Sequence, residues 1–391
     1  TNFLKERPVP PAIREAMAKA SQREERGLPV VDFSSGNVGK IIVNERLFSK
    51  FEIEVDEKLS GSLRMIGEAL RTGLLNAFYN KLTGLSYSPT GGIDAIRLLA
   101  LKYFREFHGA PLSDKDLDRI IVTAGGQQAL AASLRALRPR AVVYIPKWEY
   151  SPASETIRDN GCHEIRVPLR EDLSIQLDYL REKIKPNSVF YLSMPNNPTG
   201  YTSPKDLADI SDLMAEQEGG IVWDAPYLFT ILRLTRSKAL YDKAFQKEIV
   251  ESFKDTVKKH YDRMCILSST SKTFLMAGLR CGFATAPERW IELMNATIGR
   301  ENLSSPTHSF LIGMEALRLF LENPTIHDWL CEVLARRLTT LIEEGVPMLL
   351  PGNGVFGALY ALVKTGGLDS IEFSNKLVDK FGIVTVPGNS F

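Results

Sequence analysis

Residues 119–137 read RIIVTAGGQQALAASLRAL: a short β-branched run, a double glycine, then a segment with helical spacing. The same order returns in AVVYIPKWEYSPASETIRDN (141–160), SVFYLSMPNNPTGYTSPKDLADISDLMAEQE (188–218), GGIVWDAPY (219–227) and RMCILSSTSK (263–272). Strands that alternate with helices predict an α/β fold with a mostly parallel sheet flanked by helices on both faces. In such sheets the chemistry gathers in the loops beyond the carboxyl ends of the strands. Gly125, Gly126, Gln127, Trp148, Asn197, Asp224, Ser269 and Lys272 all stand just past these runs, so residues far apart in sequence are expected to converge.

The bulk composition narrows the partners. The chain has 391 residues, 44% of them hydrophobic, enough for a sizeable core and for two domains. With 48 basic and 47 acidic side chains the net charge is +1, which leaves no electrostatic footprint for nucleic acid or an anionic membrane. A small-molecule partner is therefore expected. The four cysteines (Cys162, Cys265, Cys281, Cys331) contain no CxxC pair and the five histidines form no HxxxH or HExxH, so neither a disulfide framework nor a metal site is expected. The start, TNFLKERPVPPAIREAMAKA, lacks an apolar signal-peptide core, and no apolar run approaches membrane-spanning length, so a cytoplasmic protein is the expectation.

Lys272 sits between a run of small hydroxyls and an apolar stretch that ends at Arg280. A lysine held neutral is a nucleophile for a carbonyl, whereas alone it reads as a surface lysine with its head in water. Asp224, ahead of Pro226, reads as a turn residue or as the anionic partner of a ring nitrogen. The turn at Gly125, Gly126 and Gln127 opens a helix, whose positive end suits an anion; Arg280 and Ser269 would add a guanidinium and a hydroxyl. A plain tight turn, an exposed arginine and a helix cap are the duller readings of these residues. Trp148 would offer a stacking face or be core, and Asn197 and Tyr227 would donate to a ring oxygen, although Asn, Pro and Gly also make turns by themselves. One ligand uses all of these groups: pyridoxal phosphate, with Lys272 as the Schiff base and proton carrier and Asp224 on the pyridine nitrogen.

NNPTG at 196–200, DAPY at 224–227 and SxxKxxxxxGxR from Ser269 to Arg280, in this order and spacing, resemble the class I/II aminotransferases, the fold type I pyridoxal phosphate enzymes. YSPTGGIDAIRLLA, VTAGGQQAL and IVTVPGNSF are further points of likeness, so the resemblance extends over nearly the whole chain. It implies transamination between an amino acid and a 2-oxo acid by a ping-pong mechanism. Lys272, Asp224 and Tyr227 would be the catalytic residues, and Asn197, Trp148, Gly125, Gly126, Gln127, Ser269 and Arg280 would complete the cofactor site. It further implies a homodimer in which Tyr87 reaches the neighbouring subunit's phosphate, and a substrate loop at Gly36. Arg300, four residues before Ser304, is placed like the arginine that holds a distal carboxylate in dicarboxylate-using relatives; it reads equally as a cation closing a helix. Two departures stand out: Pro226 beside the tyrosine, and the arginine expected to clamp the substrate α-carboxylate, which would lie beyond Phe391.

The expected organisation is an N-terminal segment, 1–45, joining a smaller α/β domain at 305–391 that is cut short at its C-terminal end, with the large domain at 46–304. Residues 228–262 read as a charged, solvated helical insertion. GNGVFG at 352–357 matches a dinucleotide fingerprint, but it follows MLLP and runs into ALYALVK, so a bend before a strand is expected. Carbon–sulfur lyase, decarboxylase and cyclase chemistry share the same frame, and a non-catalytic regulator with this body is a third reading, which the intact Lys272 and Asp224 disfavour.

Overall fold

The computed structural model describes residues 12–34, 57–80 and 86–391. Its centre is a sheet of seven strands: β1 (Ile120–Thr123), β2 (Val142–Pro146), β3 (His163–Val167), β4 (Val189–Ser193), β5 (Gly220–Asp224), β6 (Met264–Ser269) and β7 (Gly282–Thr285). They lie in the order β1-β7-β6-β5-β4-β2-β3. All neighbours run parallel except β7, which is antiparallel to both β1 and β6.

The near-continuous apolar runs exist because both faces of the sheet are covered. Successive residues of one strand enter opposite cores. Ile120, Val122, Phe190, Ile221, Trp223, Ile266 and Phe283 belong to one, while Ile121, Val143, Tyr191, Val222, Leu267 and Ala284 belong to the other. Helices Gly126–Arg135, Ser151–Asp159 and Glu288–Asn302 supply Leu130, Ile157 and Met294 to the second core. Helices Asp94–Tyr103, Pro204–Glu216, Lys243–His260 and Thr307–Glu322 supply Ile96, Ile210, Phe253 and Phe310 to the first. Helix Pro204–Glu216 starts where TSPKD places it, with Pro204 in its first turn and the Ser203 hydroxyl accepting from the Asp206 N–H at 3.0 Å.

The 228–262 segment is more than a solvated face. It makes a short hairpin, Leu232–Leu234 with Ala239–Leu240, which Val355–Phe356 extends to three strands. Its helix, Lys243–His260, is capped by Asp242 and buries Val250, Phe253 and Val257. GNGVFG turns into that same strand, as its context requires. The chain divides into two compact units, Asn37–Ala361 and a smaller one of Thr1–Gly36 with Leu362–Phe391, and not at 304/305. The reason is packing: helix Thr307–Glu322 buries Phe310, Leu317 and Phe320 in the core of the large sheet. In the smaller unit, helices Ala12–Glu25 and Ser370–Phe381 meet through Ala16, Ala20 and Val378, and Val31–Asp32 pairs in parallel with Ile383–Val384. No described helix is long and apolar enough to cross a membrane.

Candidate active site

Register brings the site to one edge of the sheet. Ser193 at the end of β4 pairs with Asp224 at the end of β5, and Asp224 pairs with Leu267 of β6. The reversed β7 begins at this same edge, where Gly282 lies opposite both Ser269 and Thr123. Arg280, two residues ahead of Gly282, therefore reaches the edge from the amino end of a strand.

Four of the expected anion-binding residues form one tight cluster. Gly125 has φ of +82°, which only glycine adopts without strain, and caps helix Gly126–Arg135. A Cβ on Gly125 would lie 2.8 Å from Arg280 Cζ, and one on Gly126 would lie 3.4 Å from Ser269 Oγ. A Cβ on Gly282 would strike the Gly126 nitrogen at 2.6 Å. The Arg280 guanidinium is steadied from behind: Nη1 donates to the Ala277 carbonyl at 2.7 Å and Nη2 to the Ala124 carbonyl at 3.4 Å. The Gly125 N–H donates to the Thr123 carbonyl at 2.8 Å, so this residue contributes its conformation and not its donor. Gly126 and Gln127, in the first helical turn, have no carbonyl four residues back and keep their N–H groups for an anion. The Gln127 side chain is exposed; the neighbouring Gln128 braces the turn, its Oε1 accepting from the Ala124 N–H at 2.7 Å and the Ser305 hydroxyl at 3.0 Å.

Asp224, Lys272 and Tyr227 come together beside this cluster. Burial raises the Asp224 carboxyl from 3.8 to about 7, while the Tyr191 hydroxyl, donating to Oδ2 at 3.1 Å, and the Lys272 charge pull it back down. Ser269 caps the one-turn helix Thr270–Thr273 that carries Lys272. Lys272 Nζ lies 6.0 Å from the centre of the Tyr227 ring. The buried Tyr227 phenol is held well above its ordinary value, first by burial and then by the neighbouring Tyr360 phenol. The two rings are nearly perpendicular, with centroids 6.1 Å apart. Tyr150 is pushed up to about 12, by burial first and then by the charge of Asp224, with Arg280 acting the other way. Its phenol is thus within electrostatic reach of both ends of the site.

Asn197 is buried, its N–H donates to Ser193 Oγ at 3.0 Å, and its amide oxygen has no partner among the described residues. Such an atom is costly to leave without a partner, and it lies in a loop at the edge where the other expected site residues gather. Trp148 is half-buried against the first core, with Lys147 Nζ 5.2 Å from its ring. Tyr87 is 82% exposed, and Arg300 is exposed in the last turn of helix Glu288–Asn302. The segments that carry them touch each other: Thr90 Oγ1 donates to the Leu303 carbonyl at 2.8 Å and Thr307 Oγ1 to the Ser86 carbonyl at 2.6 Å. Gly36 lies outside the described residues. Among the described residues no group of three or more His, Cys, Asp or Glu side chains is placed to hold a metal ion.

Sequence reasoning missed Glu149, Tyr150, Tyr191 and Tyr360. Tyr150 follows Trp148 by two residues in a loop already singled out, which was a usable signal. Tyr191 lies inside a strand, and only the pairing of β4 with β5 reveals its neighbour.

Residues 68–391 match the family model for aminotransferases of class I and II. An aspartate aminotransferase of Pyrococcus horikoshii is 27% identical over 323 residues, covering 78% of this chain and 75% of its own. An aromatic-amino-acid aminotransferase of Thermococcus litoralis is 27% identical over 314 residues, covering 78% and 76%. Among solved structures, a single mutant of Thermus thermophilus aspartate aminotransferase shares the fold with a TM-score of 0.78, over 100% of this chain and 92% of that one, at 22% identity.

Proposed function

Because the chain belongs to the aminotransferase class I and II family, whose members transfer amino groups with pyridoxal phosphate, we propose that Lys272, Asp224, Tyr227 and Asn197 are the groups with which it does so. The exchange runs in ping-pong fashion between an amino acid and a 2-oxo acid. The residues present fit the cofactor. The open first turn at Gly126 and Gln127, with Ser269 and Arg280 against it, suits a phosphate; the Asn197 NH₂ and the Tyr227 phenol suit a ring oxygen; Asp224 suits a protonated ring nitrogen. When bound, pyridoxal phosphate supplies a carbonyl carbon for amine exchange and a ring that takes up electron density as the substrate carbon loses its proton.

The protein's part is to hold charges and protons. Asp224 is half-buried, so its carboxylate is stabilised by a cation placed against it, and the bond it accepts from Tyr191 fixes its direction. Tyr227 stays protonated at neutral pH and remains a donor. Lys272 brings an amine to hold the cofactor and to move a proton at the substrate carbon. Trp148 and Tyr150, on the loop after β2, would cover the ring. The single observation that carries this reading is Asp224: a carboxyl at the end of β5, aimed by the Tyr191 hydroxyl at 3.1 Å and within reach of the Lys272 charge.

Tyr87 and Arg300 belong, in this reading, to the face that meets a second copy, because their segments are pinned together and both side chains point to solvent. Sedimentation tests the homodimer. The listless thiols fit a reducing cytoplasm: all four cysteines are free and buried, with Cys281 and Cys331 pushed up to about 12 by burial. The names of the relatives suggest an aspartate or aromatic donor. A half-reaction screen tests the function: the absorbance of bound cofactor should change on adding one class of amino acid without any oxo acid. No change with any amino acid would reject transamination.

A further inference from the structure

Glu149, which follows Trp148, is fully buried, and no cation pairs with it among the described residues. Its carboxylate is instead surrounded by donors from two loops. Oε1 accepts from the Tyr150 N–H at 2.8 Å and from the Ser193 hydroxyl. Oε2 accepts from the Ser193 N–H at 2.8 Å and from Asn196 Nδ2 at 3.1 Å. The Ser193 oxygen in turn accepts the Asn197 N–H at 3.0 Å. The Asn196 amide cannot turn over freely, because its Oδ1 accepts both the N–H and the hydroxyl of Thr199, at 3.1 and 2.6 Å.

We propose that Glu149 is a positioning residue, tying the Trp148–Tyr150 loop to the Asn196–Asn197 loop and so aiming the Asn197 NH₂ at the cofactor's ring oxygen. This rests on the function proposed above. A buried acceptor with four donors is a rigid junction, since losing any one contact leaves a polar group without water to replace it. The geometry also says why glutamine is no substitute. Each carboxylate oxygen is bonded to one backbone N–H, Tyr150 on one and Ser193 on the other. Whichever way a glutamine amide is turned, its NH₂ faces one of those donors.

The test measures cofactor affinity of the cofactor-free protein, by quenching of tryptophan fluorescence on titration with pyridoxal phosphate, together with thermal unfolding of the same samples. Glu149→Gln should stay folded and bind the cofactor about tenfold or more weakly, the loss expected when a buried N–H is left without its acceptor. In an Asn197→Ala background the same substitution should cost about threefold or less, because residues acting through one another are not additive. A folded variant binding within about twofold of wild type, or an equal loss with and without Asn197, overturns the proposal. Should Glu149→Gln fail to fold, Ser193→Ala removes the link to Asn197 while leaving Tyr150 bonded to the carboxylate, and the same non-additivity is expected. Unfolding of both variants would make Glu149 a residue of the fold alone and also overturn it. Wild-type protein that binds no pyridoxal phosphate would instead reject the proposed function itself.

Discussion

Asp224→Asn should move stability and catalysis in opposite directions. In the cofactor-free protein the Asp224 carboxyl is raised from 3.8 to about 7 by burial. Between these values the folded chain holds a proton that the unfolded chain has lost, so this group lowers stability as pH rises, and the penalty is complete above about pH 7. A shift of about three units, at 1.36 kcal/mol each, sets a ceiling of about 4 kcal/mol; water at the exposed part of the side chain reduces this to about 2 kcal/mol. Asparagine removes the charge, and its oxygen still accepts the Tyr191 hydroxyl. Thermal unfolding without cofactor should therefore show a gain for the variant at pH 8.5 that exceeds its gain at pH 5 by roughly 1–2 °C. Glu149, raised to about 8, titrates nearby but is present in both proteins, so it cancels to first order in the difference. With cofactor and substrate, the variant should lose turnover about tenfold to a hundredfold, the value of roughly 1.5–3 kcal/mol for a charged hydrogen bond. Equal gains at the two pH values, or a variant less stable at pH 8.5, would refute the electrostatic account; near wild-type turnover would refute the assignment of Asp224 to the ring nitrogen.

Three further outcomes are expected. Lys272→Ala should bind cofactor only non-covalently, so borohydride treatment followed by peptide mapping should find no label at position 272 and none elsewhere at the wild-type level. Gly125→Ala places a Cβ 2.8 Å from Arg280 Cζ at a φ of +82°, and should destabilise the protein by roughly 1–3 kcal/mol and weaken binding of inorganic phosphate; unchanged phosphate affinity would remove Arg280 and this turn from the anion site. Arg300→Ala should raise the Michaelis constant for dicarboxylic substrates far more than for alanine or valine if it meets a distal carboxylate across a dimer. An equal effect on both classes would leave it as the cation that closes helix Glu288–Asn302.

The residues at the functional edge were legible because two local rules suffice to find them. Apolar β-branched runs followed by helical periodicity place a strand, and a parallel sheet places the next loop at a shared edge; Gly125, Asn197, Asp224 and Lys272 needed nothing more. Arg280 was legible by spacing alone. Its route to the site was decided by the antiparallel strand Gly282–Thr285, and no local pattern distinguishes the direction of a buried strand. Glu149 shows the limit most clearly. In sequence it is an acidic residue in a loop, and such residues are usually solvated; only the approach of the Ser193–Asn197 loop makes it a buried junction. Tyr191 acquires its role from a neighbouring strand 33 residues away. The helix Lys243–His260 reads as charged because one face is charged, and whether the other face is covered depends on what the chain packs there. The same holds for the boundary expected at 304/305: a helix belongs to the unit that buries its apolar stripe, and Phe310 and Phe320 found theirs in the core of the large sheet. Sequence by itself therefore determined the alternation of strands and helices and which loops meet at one edge of the sheet, since these follow from periodicity and chain order. Tertiary structure decided which groups are desolvated and what they touch, because burial is a property of the assembled neighbours and not of any one segment.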